Sequence, residues 1–354
     1  MDRSYGIMGV LVGGLAVVSG TALARPGGGA QVCTLGAAAV GQPAAVVCKD
    51  TRTGATTQQL EVGTLVAGAG GTGGTLSRHG DDVLVTNLTG GAVLLEEVGG
   101  RLVHPVRLRT DGESSLSGAL GERGAYVVTP TRVLFFPRGR TGAASAAHLQ
   151  VGDGSAAQIA LAGGHAYVSE KAGSLEAFAL RGDGNLDGAA QPVTGIPAGT
   201  IVGITGADDL IVSPVAHLAT NANQATVPVS SGTTRIQQVE TKEVAACWTA
   251  SDDGEVCITN PGSMTVSCGR IGPGGFTTYT GAAASLPGES VFDLDVRRGT
   301  VGILGVHGGA RVLLVYARAE DDSDFLSSSG ELPVGTAVAA GALVLPALRY
   351  AGTP

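Results

Sequence analysis

The sequence predicts an all-β protein, a seven-bladed β-propeller of four-stranded antiparallel blades. Three observations carry that expectation. Gly makes up 58 of the 354 residues and hydrophobic residues 44%, with 15% charged. A chain this apolar folds, and its many Val, Leu and Ala residues broken by frequent Gly favour short strands and tight turns. Short apolar runs then recur: 81–87 (DDVLVTN), 124–130 (GAYVVTP), 165–171 (HAYVSEK), 208–214 (DDLIVSP), 255–260 (EVCITN) and 299–305 (GTVGILG), with ends spaced by 43, 41, 43, 46 and 45 residues. That interval is the length of a propeller repeat, and none of the runs has the 3.6-residue period of an amphipathic helix.

The elements follow in order. Residues 1–24 (MDRSYGIMGVLVGGLAVVSGTALA) carry Arg3, an apolar stretch at 7–18 and the small-residue ending Ala22-Leu23-Ala24. This is the pattern of a cleavable secretory signal, and the stretch is short of the roughly 20 residues a membrane span takes. The expectation is a secreted protein, extracellular or periplasmic, with a mature single domain at 25–354; a retained anchor is the alternative. Cys33 and Cys48 are placed to form one bridge. Cys257 and Cys268 lie on adjacent predicted strands, where a disulfide and two unpaired buried thiols are equally open, and Cys247 is left over. With no C-x-x-C and no Cys/His cluster, neither a metal nor a cofactor is expected. The net charge is −8 and Lys and Arg are scattered, which argues against a nucleic-acid partner. Asn87-Leu88-Thr89 is a glycosylation sequon.

A second strand follows most of the runs at a near-constant offset: 92–98 (AVLLEEV), 131–136 (TRVLFF), 174–180 (SLEAFAL), 264–270 (MTVSCGR) and 311–318 (RVLLVYAR). Between 255–260 and 264–270, Asn260-Pro261-Gly262-Ser263 supplies turn residues. The fifth unit departs from the pattern, with a polar, irregular stretch at 216–234 read as a long loop before a strand at 235–240. One more unit fits before residue 81, with 44–49 (AAVVCK) as its strand, giving seven. A ring also needs closure, and 335–345 (GTAVAAGALVL) is the expected closing strand. The alternative, a lipid-anchor signal or membrane tail, is disfavoured by its length and its glycines.

Cys247-Trp248, the turn Asp253-Gly254, Asn260, Gly262-Ser263 and Gly274-Gly275-Phe276 together resemble a blade of the lactonase-like seven-bladed propellers. Exported members of that family are related to 6-phosphogluconolactonase and carboxymuconate cyclase. Ala157-Gln158-Ile159 with Val168-Ser169-Glu170-Lys171, and Leu332-Pro333-Val334-Gly335, extend the resemblance over nearly all of the mature chain. It implies action on a lactone or sugar-acid derivative. Enzymes of the group carry a His-Pro-His-Gln step at the entrance to one blade, with Arg and Glu at the same end of the channel. Here that step reads Ser155-Ala156-Ala157-Gln158. Both imidazoles are missing, which opens the alternative of a non-catalytic binding or scaffold propeller.

Candidate site residues follow. Glu170 is a possible general base and Lys171 a group for an anionic substrate, against a solvated turn after a strand. His148 and His165 flank the same blade and are candidates to replace the missing imidazoles. Asp293 and Asp295 in VFDLDV share one face of a strand and suit a sugar hydroxyl or a cation, against capping a neighbouring turn. Trp248 is read either as a stacking surface for a sugar or as packing between blades. Residues 181–188 (RGDGNLDG) look like a calcium loop but lack its later acidic ligand, and read as a hairpin turn. The expected partner is a small-molecule lactone or carbohydrate, or a protein, bound by a monomer without membrane association once the signal is removed.

Overall fold

The computed structural model describes residues 30–347 except 69–72, 152–154, 172, 194–202, 208, 215–224, 229–234, 240–242, 244, 273, 279–282 and 319–325. The expected leader at 1–24 lies outside the described residues. In chain order, blade 1 takes β1 (Gln31–Ala37), β2 (Pro43–Asp50) and β3 (Thr56–Thr64). Blade 2 takes β4 (Leu76–His79), β5 (Asp82–Val85), β6 (Gly91–Val98) and β7 (Arg101–Arg109), and blade 3 takes β8 (Ser117–Gly121), β9 (Gly124–Val128), β10 (Arg132–Pro137) and β11 (Ser145–His148). Blade 4 holds β12 (Ala156–Ala162), β13 (His165–Glu170), β14 (Leu175–Leu180) and β15 (Leu186–Pro192). Blade 5 holds β16 (Thr205–Ala207), β17 (Leu210–Pro214), β18 (Ala225–Pro228) and β19 (Arg235–Val239). Blade 6 is β20 (Thr249–Asp252), β21 (Glu255–Asn260), β22 (Thr265–Gly272) and β23 (Gly275–Thr278), with the short β24 (Ala284–Ser285) beside β22. Blade 7 is β25 (Ser290–Arg297), β26 (Thr300–His307), β27 (Ala310–Arg318) and β28 (Leu326–Pro333). The last strand, β29 (Val338–Leu345), returns to pair with β1 as the innermost strand of blade 1.

The innermost strands β29, β4, β8, β12, β16, β20 and β25 neighbour one another in that order and back to β29, so the sheets form a seven-bladed propeller. The second strand of a blade is covered on both faces by its neighbours. Every residue of β9, β13 and β21 is accordingly buried, whereas the outermost β7 and β28 are mostly open.

Two details differ from the expectation. Residues 44–49 belong to β2, the third strand of blade 1 and not the second, because β29 fills the innermost place and pushes β1 to second. In blade 5 the polar stretch contains β18, which passes to the outer edge before the chain returns as β19 between it and β17. Strand β19 therefore runs parallel to β17, and that blade is not wholly antiparallel.

Type I′ hairpins join the innermost to the second strand in blades 4, 6 and 7. Their central pairs, Gly163-Gly164, Asp253-Gly254 and Arg298-Gly299, all have positive φ, the geometry that matches the twist of paired strands. Both cysteine pairs are joined: Cys33–Cys48 links β1 to β2 and Cys257–Cys268 links β21 to β22. Each thus crosses from the second to the third strand of its blade. Asn87 is fully buried, and its amide both donates to Ala67 O at 2.7 Å and accepts from Ala67 N at 3.0 Å. The sequon is consumed by this contact and is closed to a glycan in the folded protein.

Candidate functional site

A cavity of about 830 Å3 occupies the centre of the ring. Its wall is made by β4, β8, β12, β16, β20 and β25, and it reaches the end where these strands turn into their hairpins, at His79, Glu122, Gly163 and Gly206. The polar residues lining it come from several blades: Ser77 and Arg78 from β4, Gln158 from β12, Thr205 from β16, Thr249 and Ser251 from β20, and Asp293 and Asp295 from β25.

The two aspartates are brought together as the sequence pattern expected. A bulge between Val291 and Leu294 interrupts the β25–β26 register, and such an irregularity re-aims a side chain. Asp293 is 5% exposed and accepts the backbone N–H of Leu294 at 3.0 Å and those of Gly74 and Thr75. Burial pushes its carboxyl up to about 7; the three N–H groups pull it down and the charge of Asp295 adds to the rise. Asp295 is half-buried and accepts Val344 N–H at 2.7 Å. Burial pushes it up to about 6 against the pull of Arg78, while Asp252 raises it further. Arg78 Nη2 stands 3.5 Å from Asp252 Oδ1. Ser77 Oγ, Arg78 Nε and Thr249 Oγ1 are buried with no hydrogen-bond partner among the described residues. Beside them Thr205 Oγ1 and Ser251 Oγ lie 2.8 Å apart.

The other expected residues are divided between the two ends of the ring. His165 lies in the cavity wall with Nδ1 3.0 Å from Gly163 O. Glu170 and Lys171 are at the opposite end, where β13 finishes, and neither lines the cavity. Ser155 Oγ donates to Glu170 Oε2 at 2.6 Å, and burial holds the Lys171 ammonium below its ordinary value against the pull of Glu170. His148 ends β11 and is exposed away from the cavity. Trp248 is 2% exposed and packs in the cluster holding Cys257, Cys268 and Val266. Ala157, in the step that lacks the imidazoles, is fully buried, and its carbonyl accepts Gly73 N–H at 3.0 Å.

Sequence reasoning missed Arg78 and Asp252. Each lies at the end of an innermost strand on a different blade, and only ring closure places them together. Cys247 is unpaired, but burial pushes its thiol up to about 11, which leaves it protonated and a poor nucleophile. Glu255 lies beside Cys257 and Cys268; the two sulfurs are bonded to each other and Glu255 pairs with Arg318, so this group is a structural one.

No protein-family model matches the chain, and a comparison with curated proteins finds no match either. Among solved structures, a protein from Lactobacillus plantarum is similar with a TM-score of 0.58 at 13% identity, over 90% of this chain and 99% of that one. A Bacteroides fragilis protein provisionally assigned as a 6-phosphogluconolactonase gives 0.54 at 11% identity, over 90% and 98%. Apo AztD from Citrobacter koseri gives 0.52 at 10% identity, over 91% and 100%. The likeness at these identities is one of fold: the chain is a seven-bladed propeller with a lactonase-like structure among its neighbours.

Proposed function

We propose that the central cavity binds and hydrolyses a small lactone or sugar-acid ester, with Asp295 as the general base and Arg78 as the group that stabilises the oxyanion. The observation that carries this reading is the convergence of Asp295, Asp293 and Arg78, from β25 and β4, on one roomy cavity. A carboxylate that gains its proton near neutral pH suits general-base work, and a partly dehydrated guanidinium is worth more to a developing negative charge than it is in water.

In the step proposed, a water held by Asp295 attacks the carbonyl carbon. Its proton passes to the carboxylate, and the carbonyl oxygen becomes an oxyanion facing Arg78. Collapse breaks the ring ester bond, and the departing alkoxide takes the proton back from Asp295. Ser251, half-buried in the cavity wall, is the hydroxyl offered to a substrate's own hydroxyl groups. Glu170 and Lys171 take no part.

A second reading, a binding propeller without catalysis, is favoured by one observation: both aspartates already serve backbone amides. Hydrolysis of glucono-1,5-lactone by the purified protein separates the two. Turnover abolished in Asp295→Asn supports the enzyme. Binding of the lactone with no turnover supports the alternative.

Export is also part of the proposal. The secretory pattern at 1–24 and two disulfides, which persist in oxidising compartments, agree on it.

A further inference from the structure

We propose that Asp293 and Asp295 form a proton-operated latch that fastens the closing strand of the ring. The latch needs no catalytic activity and works whether or not the cavity hydrolyses anything.

Blade 1 is the one blade whose innermost strand, β29, comes from the far end of the chain, so the ring closes at a single seam, where β29, the continuation of blade 7, is held to the rest of blade 1 and to blade 2 by non-covalent contacts alone. Both aspartates reach out from blade 7 at that seam. Asp295 takes the N–H of Val344, on β29 itself. Asp293 takes the N–H groups of Gly74 and Thr75, which lead into β4 of blade 2 on the far side of β29. The approach of blade 2 depends on Gly341 in β29: its φ is +72°, and a Cβ there would stand 2.9 Å from the Cβ of Thr75. One strand of blade 7 thus grips both the closing strand and the blade beyond it.

The grip is made by carboxyl groups in a partly dehydrated site, and ionisation there is opposed. Asp293 faces Asp295 and no cation among the groups that set its proton affinity. Asp295 faces Arg78 on β4, Asp252 on β20, and its own strand's Arg297, which is itself engaged with Glu97 of β6 at 3.7 Å and with the charges of Arg78 and Arg298. In the folded protein the pair takes up protons as pH falls through about 7 and about 6, whereas in the unfolded chain a carboxyl waits until about 4. Acidification through that window therefore favours the folded state, and the stabilisation is lost as pH rises back through 6 and 7. A protonated carboxyl still accepts the amides through its carbonyl oxygen while the cost of a dehydrated charge disappears. The seam is tight in mild acid and loosens in mild alkali.

Thermal unfolding of the wild type and of Asp293→Asn/Asp295→Asn at pH 5 and pH 8 tests the latch, because Asn imitates the protonated acid. The wild type is expected to unfold at a lower temperature at pH 8 than at pH 5, and the double variant to lose most of that difference. An equal pH dependence in the two proteins overturns the proposal. Should the variant not fold, amide exchange in the wild type, corrected for the intrinsic pH dependence of exchange, decides. Protection in 338–347 is expected to fall by at least about tenfold from pH 5.5 to pH 8, the factor that corresponds to one unit of displaced proton affinity. Protection of that strand that holds across the interval overturns it.

Discussion

Gly73 and Trp248 touch so closely that no side chain fits between them: a Cβ on Gly73 would stand 2.6 Å from Cε3 of the indole and 2.7 Å from Oε1 of Gln158. This contact ties the segment entering blade 2 to the blade-6 core at the strand-entry end of the channel. It explains why the indole is buried and not offered to a ligand. Gly73→Ala is expected to cost about 1–3 kcal/mol, the usual penalty of overpacking. Trp248 is the single Trp of the chain, so the change is read directly in the midpoint and emission maximum of its fluorescence on unfolding.

The disulfides give a second prediction. Cys33–Cys48 spans 15 residues and Cys257–Cys268 spans 11, and loops of that size are worth about 3 kcal/mol each through the unfolded chain. Cys257→Ser/Cys268→Ser should lower stability by about that amount in a denaturant titration. Cys247→Ser, which breaks no bridge, should leave it within about 0.5 kcal/mol.

The proton affinity of Asp295 gives a third. A general base works in its ionised form, so kcat/KM should rise as pH rises through about 6, the value to which burial lifts Asp295. The same rise in pH loosens the seam, so activity and stability are expected to move in opposite directions between pH 5 and pH 8. A rate that falls over that interval would assign the chemistry to an acid.

Asn87 offers a fourth. Its buried amide holds Ala67 by two hydrogen bonds, and Asn87→Ala removes both while leaving the Ala67 backbone groups without that partner. The expected loss is about 1–3 kcal/mol. Protein expressed in a glycosylating host and folded normally should show the unmodified mass at this residue.

The sequence revealed the fold where strands are covered on both faces. Strands β13 and β21 read as continuous apolar runs because neighbouring blades bury all of their residues. The innermost β4 and β16, of four and three residues, carry too little pattern to be seen, although both contribute to the cavity wall. Strand β18 was hidden in a polar stretch for the complementary reason, as an outer strand needs no apolar face. In the site, Asp293 and Asp295 were legible because their alternation is local. Arg78 and Asp252 lie far apart in the chain and meet only through the ring. Glu170 and Lys171 stood out by charge, but the end of β13 carries them away from the cavity.

The most direct test compares hydrolysis of glucono-1,5-lactone by the wild type, Asp295→Asn and Glu170→Gln, with Trp248 fluorescence confirming that each is folded. A loss of about 10²–10⁴-fold in kcat is expected for Asp295→Asn, the range for a removed general base, and a rate within about threefold of wild type for Glu170→Gln. Full activity in folded Asp295→Asn, or a large loss in folded Glu170→Gln, would contradict that expectation.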